Sequence, residues 1–280
     1  MSWRISTKHV STYSYQTPVI SSYNETRMTP VSSERQRVLE SQISISPVAA
    51  TFHYLDYFGS SVYVFDLHQP HDVLSITSQA VVETTPYRAL DHEVTWGQIQ
   101  RSDVTDTFCE YLGDSQYVNE DDDALALAET FRSHATPTEA THAISNYLQG
   151  ELTYLPGSTS VTTTASDVLR QRSGVCQDFA HLALRLLRYL GIPARYVSGY
   201  LHPLEGAEIG AQNIGESHAW IEAWLGGWYA LDPTNGAPVG ERHITVAKGR
   251  DYADVRPFHG IYHGGSLERL TVTVELVRLA

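Results

Sequence analysis

The sequence predicts an α+β protein, with a β-rich N-terminal domain over residues 1–100 and a mixed domain over residues 101–280. Apolar and polar residues alternate through most of the first 85 positions. Helical three- and four-residue spacing takes over between about 120 and 190. Alternation returns in the last 90 residues. Strands and helices are grouped and not interleaved, which favours an antiparallel sheet over a parallel one.

In the first part, VLESQISISP sets Val38, Ile43 and Ile45 apart with polar residues. YLDYFGSSVYVFDL reads as a hairpin turning at Gly59-Ser60, with Tyr63 and Phe65 on one face and Val62 and Val64 on the other. VLSITSQAVVETTP is a further strand, stopped by Pro86. These strands suggest a β-sandwich-like unit that packs on the rest and is the natural place for homo-oligomer contacts. A connector over 87–118 carries Trp96 and Cys109, and Cys109 is expected to be an ordinary buried or half-buried thiol.

NEDDDALALAETFRSHA opens the helical part. Its carboxylates Glu120 to Asp123 suit the exposed N–H groups of a helix start, and the spacing and glycine of a calcium loop are missing. THAISNYLQGELTY gives a second helix ending near Gly150, and LPGSTSVTTTASD a Ser/Thr-rich loop. DFAHLALRLLRYLG is the clearest helix: Ala180, Ala183, Leu184, Leu187 and Leu190 form a stripe, Gly191 stops it and Pro193 prevents continuation. ARYVSGYL, SHAWIEAWL, WYALDP and LTVTVELVRL read as strands.

Apolar residues make up 42% of the 280 and charged residues 18%, enough for a real core. A net charge of -13 without a Lys/Arg cluster argues against nucleic acid and against an anionic membrane surface. No apolar run is long enough to span a bilayer, and MSWRISTKHVSTYSY has no secretory h-region, so the expectation is a cytoplasmic protein. In that reducing setting Cys109 and Cys176 are expected to stay unpaired.

Cys176 is where chemistry concentrates. It follows Gly174, opens the clearest helix, and precedes His218 in ESHAWIEAW and Asp232 in WYALDPTNG. A thiol at a helix start faces the positive end of the dipole, and a histidine brought alongside can hold its proton. Gly174 is expected to clear room for a substrate. His218 and Trp220 fall on one strand face, and a hairpin at Gly226-Gly227 can carry Asp232 across to the ring. Residue chemistry alone leaves two readings open for Cys176, nucleophile or buried helical cysteine, and two for Asp232, orienter or turn former. His202, Glu216, His218 and Glu222 are the nearest to a zinc set, but there is neither HExxH nor paired Cys-x-x-Cys, so no metal and no cofactor are expected.

GVCQDFAHL, ESHAWIEAW and WYALDPTNG resemble the Cys, His and Asp boxes of the transglutaminase-like superfamily. GIPARYVSGY and GRDYADVRPFHGIYHGG strengthen the match, and the first third resembles the N-terminal region that precedes this core in bacterial members. The resemblance implies a papain-like core with the cysteine on a helix packed on an antiparallel sheet. It implies Cys176 as nucleophile, His218 as base and acid, and Asp232 as orienter, in acyl transfer on the amide bonds of a peptide or protein through a thioester. The Cys176 backbone N–H would be one oxyanion donor and Tyr154 or Gln171 a second, while Asp178 braces the helix start. Hydrolysis by a peptidase or amidase is the leading expectation; a protein-glutamine transglutaminase and a non-enzymatic interaction protein are the alternatives. The loop LHPLEGAEIGAQNIGES would border the cleft, its Glu205, Glu208 and Glu216 read as solvated charge.

Overall fold

The computed structural model describes residues 2–90 and 92–280. Its spine is β1 (Trp3–Thr29), whose inward positions Trp3, Ile5, Thr7, His9 and Ser11 are buried. The strand is long enough to serve four neighbours. Its first half lies between β5 (His71–Thr84) and β14 (Leu267–Arg278). Its second half lies between β4 (Ser61–Leu67) and β13 (Phe258–Gly264). β2 (Gln36–Ser46) extends the sheet beyond β5, and β3 (Thr51–Leu55) extends it beyond β4. The β3–β4 hairpin turns where the sequence predicts. Gly59 has φ +80°, which suits a residue without Cβ, and the Asp56 carboxylate accepts from the Phe58 and Ser60 N–H groups.

Short helices α1 (Trp96–Ile99) and α2 (Ser102–Thr107) and a 3₁₀ turn over Cys109–Tyr111 follow. Cys109 is exposed, not buried as expected, because the turn commits Tyr111 to the interior. α3 (Asp122–Phe131) starts where Asp121 accepts from the Ala124 N–H, and α4 (Pro137–Glu151) where Thr136 accepts from Glu139, with Pro137 in the first turn. After β6 (Thr153–Tyr154) comes α5 (Ala165–Gln171), an element the sequence reading leaves out. Its signal is a Thr164/Asp167 capping box inside a Ser/Thr-rich stretch. β7 (Ser173–Gly174) pairs in parallel with β6 and leads into α6 (Cys176–Tyr189).

α6 is buried on every side from Asp178 to Arg188, not along one stripe. α3, α4 and α5 and two strands of the sheet surround it. Several of its polar groups find partners inside the protein, while Asp178 Oδ1, His181 Nδ1 and Arg185 Nε are buried without one among the described residues. Arg188 donates to the Ala194 carbonyl, Arg185 pairs with Asp114, and His181 accepts from the Tyr252 N–H at 3.2 Å.

The second half of the sheet comprises β8 (Ala194–Leu201), β9 (Gln212–Trp224), β10 (Trp228–Asp232), β11 (Ala237–Pro238) and β12 (His243–Gly249), with α7 (Tyr252–Val255) before β13. β8 and β10 flank β9, and the first residues of β9 pair with β14. This contact joins both halves into one sheet of 12 strands among the described residues. The main core runs from Trp3 and Val82 of the N-terminal strands through α6 to Ile221 and Leu231. A smaller core gathers Tyr15, Met28, Phe65 and Leu74. No helix among the described residues is long and apolar enough to cross a membrane.

Candidate active site

Cys176 is the first residue of α6 and is half-buried. The approach to it is held by Asp178, whose Oδ2 accepts from the Val175 N–H at 2.7 Å and from the Thr159 hydroxyl at 2.6 Å. Burial pushes the Asp178 carboxyl up, and these two bonds partly offset that. Gly174 serves this brace and not a substrate: a Cβ there would lie 2.6 Å from the Asp178 Cβ. Tyr154 is aligned beside Gly174 in the β6–β7 pair. Its hydroxyl is pushed up to about 12, by burial first and then by Cys176, Glu216 and Asp232, so it stays protonated and able to donate. Gln171 closes α5 in an exposed position.

His218 stands on β9 opposite Gly199 of β8. That glycine is required: a Cβ at Gly199 would meet the Ile244 carbonyl at 2.1 Å and the Trp220 ring at 2.4 Å. Trp220 therefore fills the space left over Gly199, its ring centroid 6.2 Å from that of His218 on the same strand face. The hairpin through Gly226, φ +85°, brings β10 back so that Asp232 lies diagonal to His218.

His218 Nε2 donates to Asp232 Oδ2 at 2.7 Å, with both side chains buried. The same oxygen accepts from Asn235 Nδ2 at 2.6 Å and from His243 Nε2 at 3.4 Å. The other carboxylate oxygen accepts from the Thr234 and Asn235 N–H groups at 3.0 and 3.2 Å. Asp232 is thus both a turn former and the partner of His218, and its own turn locks its orientation. Burial works against the Asp232 charge, but these bonds overcome it and hold the carboxyl well below the usual carboxylate range. Burial likewise works against an imidazolium at His218. Hydrogen bonds to Asp232 and to Cys176 outweigh it and hold the ring up at about 10. With Nε2 taken by Asp232, Nδ1 is the nitrogen left for the Cys176 sulfur.

Asn235 and His243 are additions that local spacing does not reveal. Asn235 carries a weak signal, since DPTNG predicts a turn folding back on Asp232. His243 carries none, because it arrives from β12. Glu222 and His202 are engaged elsewhere, Glu222 with Arg195 and Lys248 and His202 with the Leu204 carbonyl. The ligand-capable atoms of His218, Asp232 and His243 lie within 4.8 Å of one another, all already joined by the hydrogen bonds above. A cavity of about 400 Å³ reaches Asp232 and His243 from the side of Tyr87 and Arg242.

A thiol at a buried helix start, an imidazolium beside it and a carboxylate fixed behind the ring can carry out nucleophilic acyl transfer. The chain belongs to the transglutaminase-like superfamily, whose core model matches residues 125–233, and the bacterial transglutaminase-like N-terminal region matches residues 5–83. An uncharacterized protein of Mycobacterium leprae is 42% identical over 99% of this chain and 100% of its own. A protein-glutamine gamma-glutamyltransferase of Pseudomonas aeruginosa is 34% identical over 40% of this chain but only 18% of its own length. A Cytophaga hutchinsonii crystal structure, provisionally described as a cysteine protease, superposes with a TM-score of 0.78, covering 100% of this chain and 93% of that one at 24% identity. That likeness establishes the fold.

Proposed function

We propose that the protein is a cysteine-dependent acyl-transfer enzyme acting on amide bonds of peptides or proteins, with hydrolysis as its main outcome. The observation that carries the reading is the buried 2.7 Å bond between His218 and Asp232, on a ring whose charged form Cys176 also favours. The proton given up by the thiol rests on His218, and the sulfur attacks the amide carbonyl. The tetrahedral oxyanion lies against the Cys176 backbone N–H, one of the first-turn groups left without an intrahelical partner, and against the Tyr154 hydroxyl. The imidazolium then protonates the leaving amine and a thioester remains. Neutral His218 next removes a proton from water, which attacks the thioester, and the thiol is restored as the acid leaves. Asp178 takes no part in these steps; it braces the helix start.

A second reading, transfer of the acyl group from a glutamine to an amine, is favoured by the gamma-glutamyltransferase named above. The two differ only in which acceptor reaches the thioester. The unpaired cysteines suit a cytoplasmic setting. The test is mass spectrometry of a peptide mixture incubated with the protein, with and without a primary amine, and with Cys176→Ala as control. Peptide fragments or released ammonia lost in Cys176→Ala are expected; amine incorporation would shift the conclusion to transamidation. Preferential alkylation of Cys176 over exposed Cys109 by iodoacetamide in mild acid is also expected, and equal labelling would sink the nucleophile.

A further inference from the structure

A groove of about 640 Å³ lies between the N-terminal sheet and the helical side of the molecule. Two of its lining residues tie it to the candidate nucleophile and base. Ser217 immediately precedes His218, and the Val161 carbonyl accepts from the side chain of Gln177, next to Cys176. Its walls are aromatic: Tyr13 packs on Phe258 at 4.6 Å between centroids and Tyr15 on Tyr262 at 5.4 Å. Leu270 and Val272, two apart on one face of β14, also line it, each 48% exposed. Such aromatic and apolar surface, open to water next to Val161 and Ser217, is suited to being covered by a ligand.

The charge of the groove is equally telling. Among the described residues Arg256 is its only Lys or Arg and no carboxylate lines it, although the chain carries a net charge of -13. Its guanidinium reaches the side-chain amide of Gln116 at 3.2 Å and has no ion-pair partner among the described residues. A cation without a counter-ion, in an aromatic groove of an acidic protein, is complementary to a carboxylate on a largely apolar ligand.

We propose that this groove seats the acyl-donor substrate, a peptide with an aromatic side chain among the groove tyrosines and an adjacent carboxylate on Arg256. The inference rests on the acyl-transfer reading for the word substrate, but its recognition chemistry does not depend on turnover.

The test is calorimetric titration of the full chain carrying Cys176→Ala with acetylated, C-terminally amidated hexapeptides containing Phe-Glu, Phe-Gln or Phe-Lys at the same position. The Phe-Glu peptide is expected to bind about tenfold more tightly than the Phe-Gln peptide, and Phe-Lys most weakly. Arg256→Gln is expected to erase the difference, and Leu270→Asp to weaken all three. Equal affinities, no binding by any peptide, or a Glu preference that survives Arg256→Gln would overturn the proposal. Should Arg256→Gln fail to fold in a thermal melt, the three-peptide comparison on the intact groove decides alone. Discrimination by Cys176→Ala together with no turnover of these peptides by the wild type would refute the acyl-transfer reading and leave recognition standing; turnover by the wild type without discrimination by Cys176→Ala would do the reverse.

Discussion

His243 donates a hydrogen bond to Asp232, and a third group fixes its direction. The Gly240 N–H points at His243 Nδ1 at 3.3 Å, so that nitrogen is the acceptor and the proton sits on Nε2, 3.4 Å from Asp232 Oδ2. Burial holds His243 low, hence neutral, despite the carboxylate beside it. Asp232 therefore shares its charge between two histidines, one an imidazolium and one not. Replacing His243 with Phe removes one donor and should leave Asp232 gripping the His218 proton more tightly. We expect kcat to fall about tenfold or more with KM little changed, as for other residues that support a working histidine from behind. NMR titration should show the His218 pKa moving up. An unchanged His218 titration would refute this positioning role.

The His218–Asp232 pair sets a pH window for stability. His218 is raised from 6.5 to about 10, so its contribution is full below 6.5 and fades as the pH climbs through about 10. Asp232 is depressed, so its contribution is full above the ordinary carboxylate pKa and is lost only as the solution becomes strongly acidic. Urea unfolding of the wild type and of Asp232→Asn should therefore differ more at about pH 6 than at about pH 10.5. A gap that widens toward alkali would contradict the pairing.

Tyr154 offers a sharper test of the oxyanion site. Tyr154→Phe keeps the ring beside Gly174 and removes the hydroxyl. If that hydroxyl stabilises the tetrahedral oxygen, kcat falls about 10²- to 10³-fold while KM barely changes. Gln171→Ala, at the exposed end of α5, should match the wild type in the same assay.

Gly199→Ala should disturb stability and activity together. The added methyl would run into the Ile244 backbone at 2.1 Å and the Trp220 ring at 2.4 Å, opposite His218. Overpacking of this kind costs about 1–3 kcal/mol or more, and displacing Trp220 moves the strand that carries the base. Thermal denaturation alongside turnover checks it; a variant as stable and active as wild type would show that β8 and β12 can part freely.

Much of the candidate site was legible because its three members sit in locally distinctive settings. Cys176 opens a helix of unmistakable periodicity, and His218 and Asp232 lie on two strands joined by a glycine turn, so their meeting follows from short-range geometry. His243 was opaque because its strand reaches the site through pairing with β8, which no local pattern announces. α5 was hidden by composition: its Ser and Thr read as loop, although Thr164 and Asp167 are a helix-start signal. The return of β13 and β14 to β1 joins residues about 250 positions apart, and alternation says that a strand exists without saying beside which neighbour. Gly174 shows a subtler limit, because the sequence marks the need for a small residue but not which side chain fills the space.

The pairing of β14 with both β1 and β9 has a consequence for how the molecule comes apart. Val274–Val277 of β14 hold Gln212–Gly215 of β9, a few residues before His218, while the opposite edge of β14 holds Ile5–Tyr15 of β1. The strand bearing the candidate base is thus laced to the opening strand through the closing one. Peeling β14 away would free the early residues of β9 while α6, enclosed by its own helices, kept Cys176 in place. Loss of chemistry would then precede loss of helix, and amide exchange at 212–215 would be its first sign.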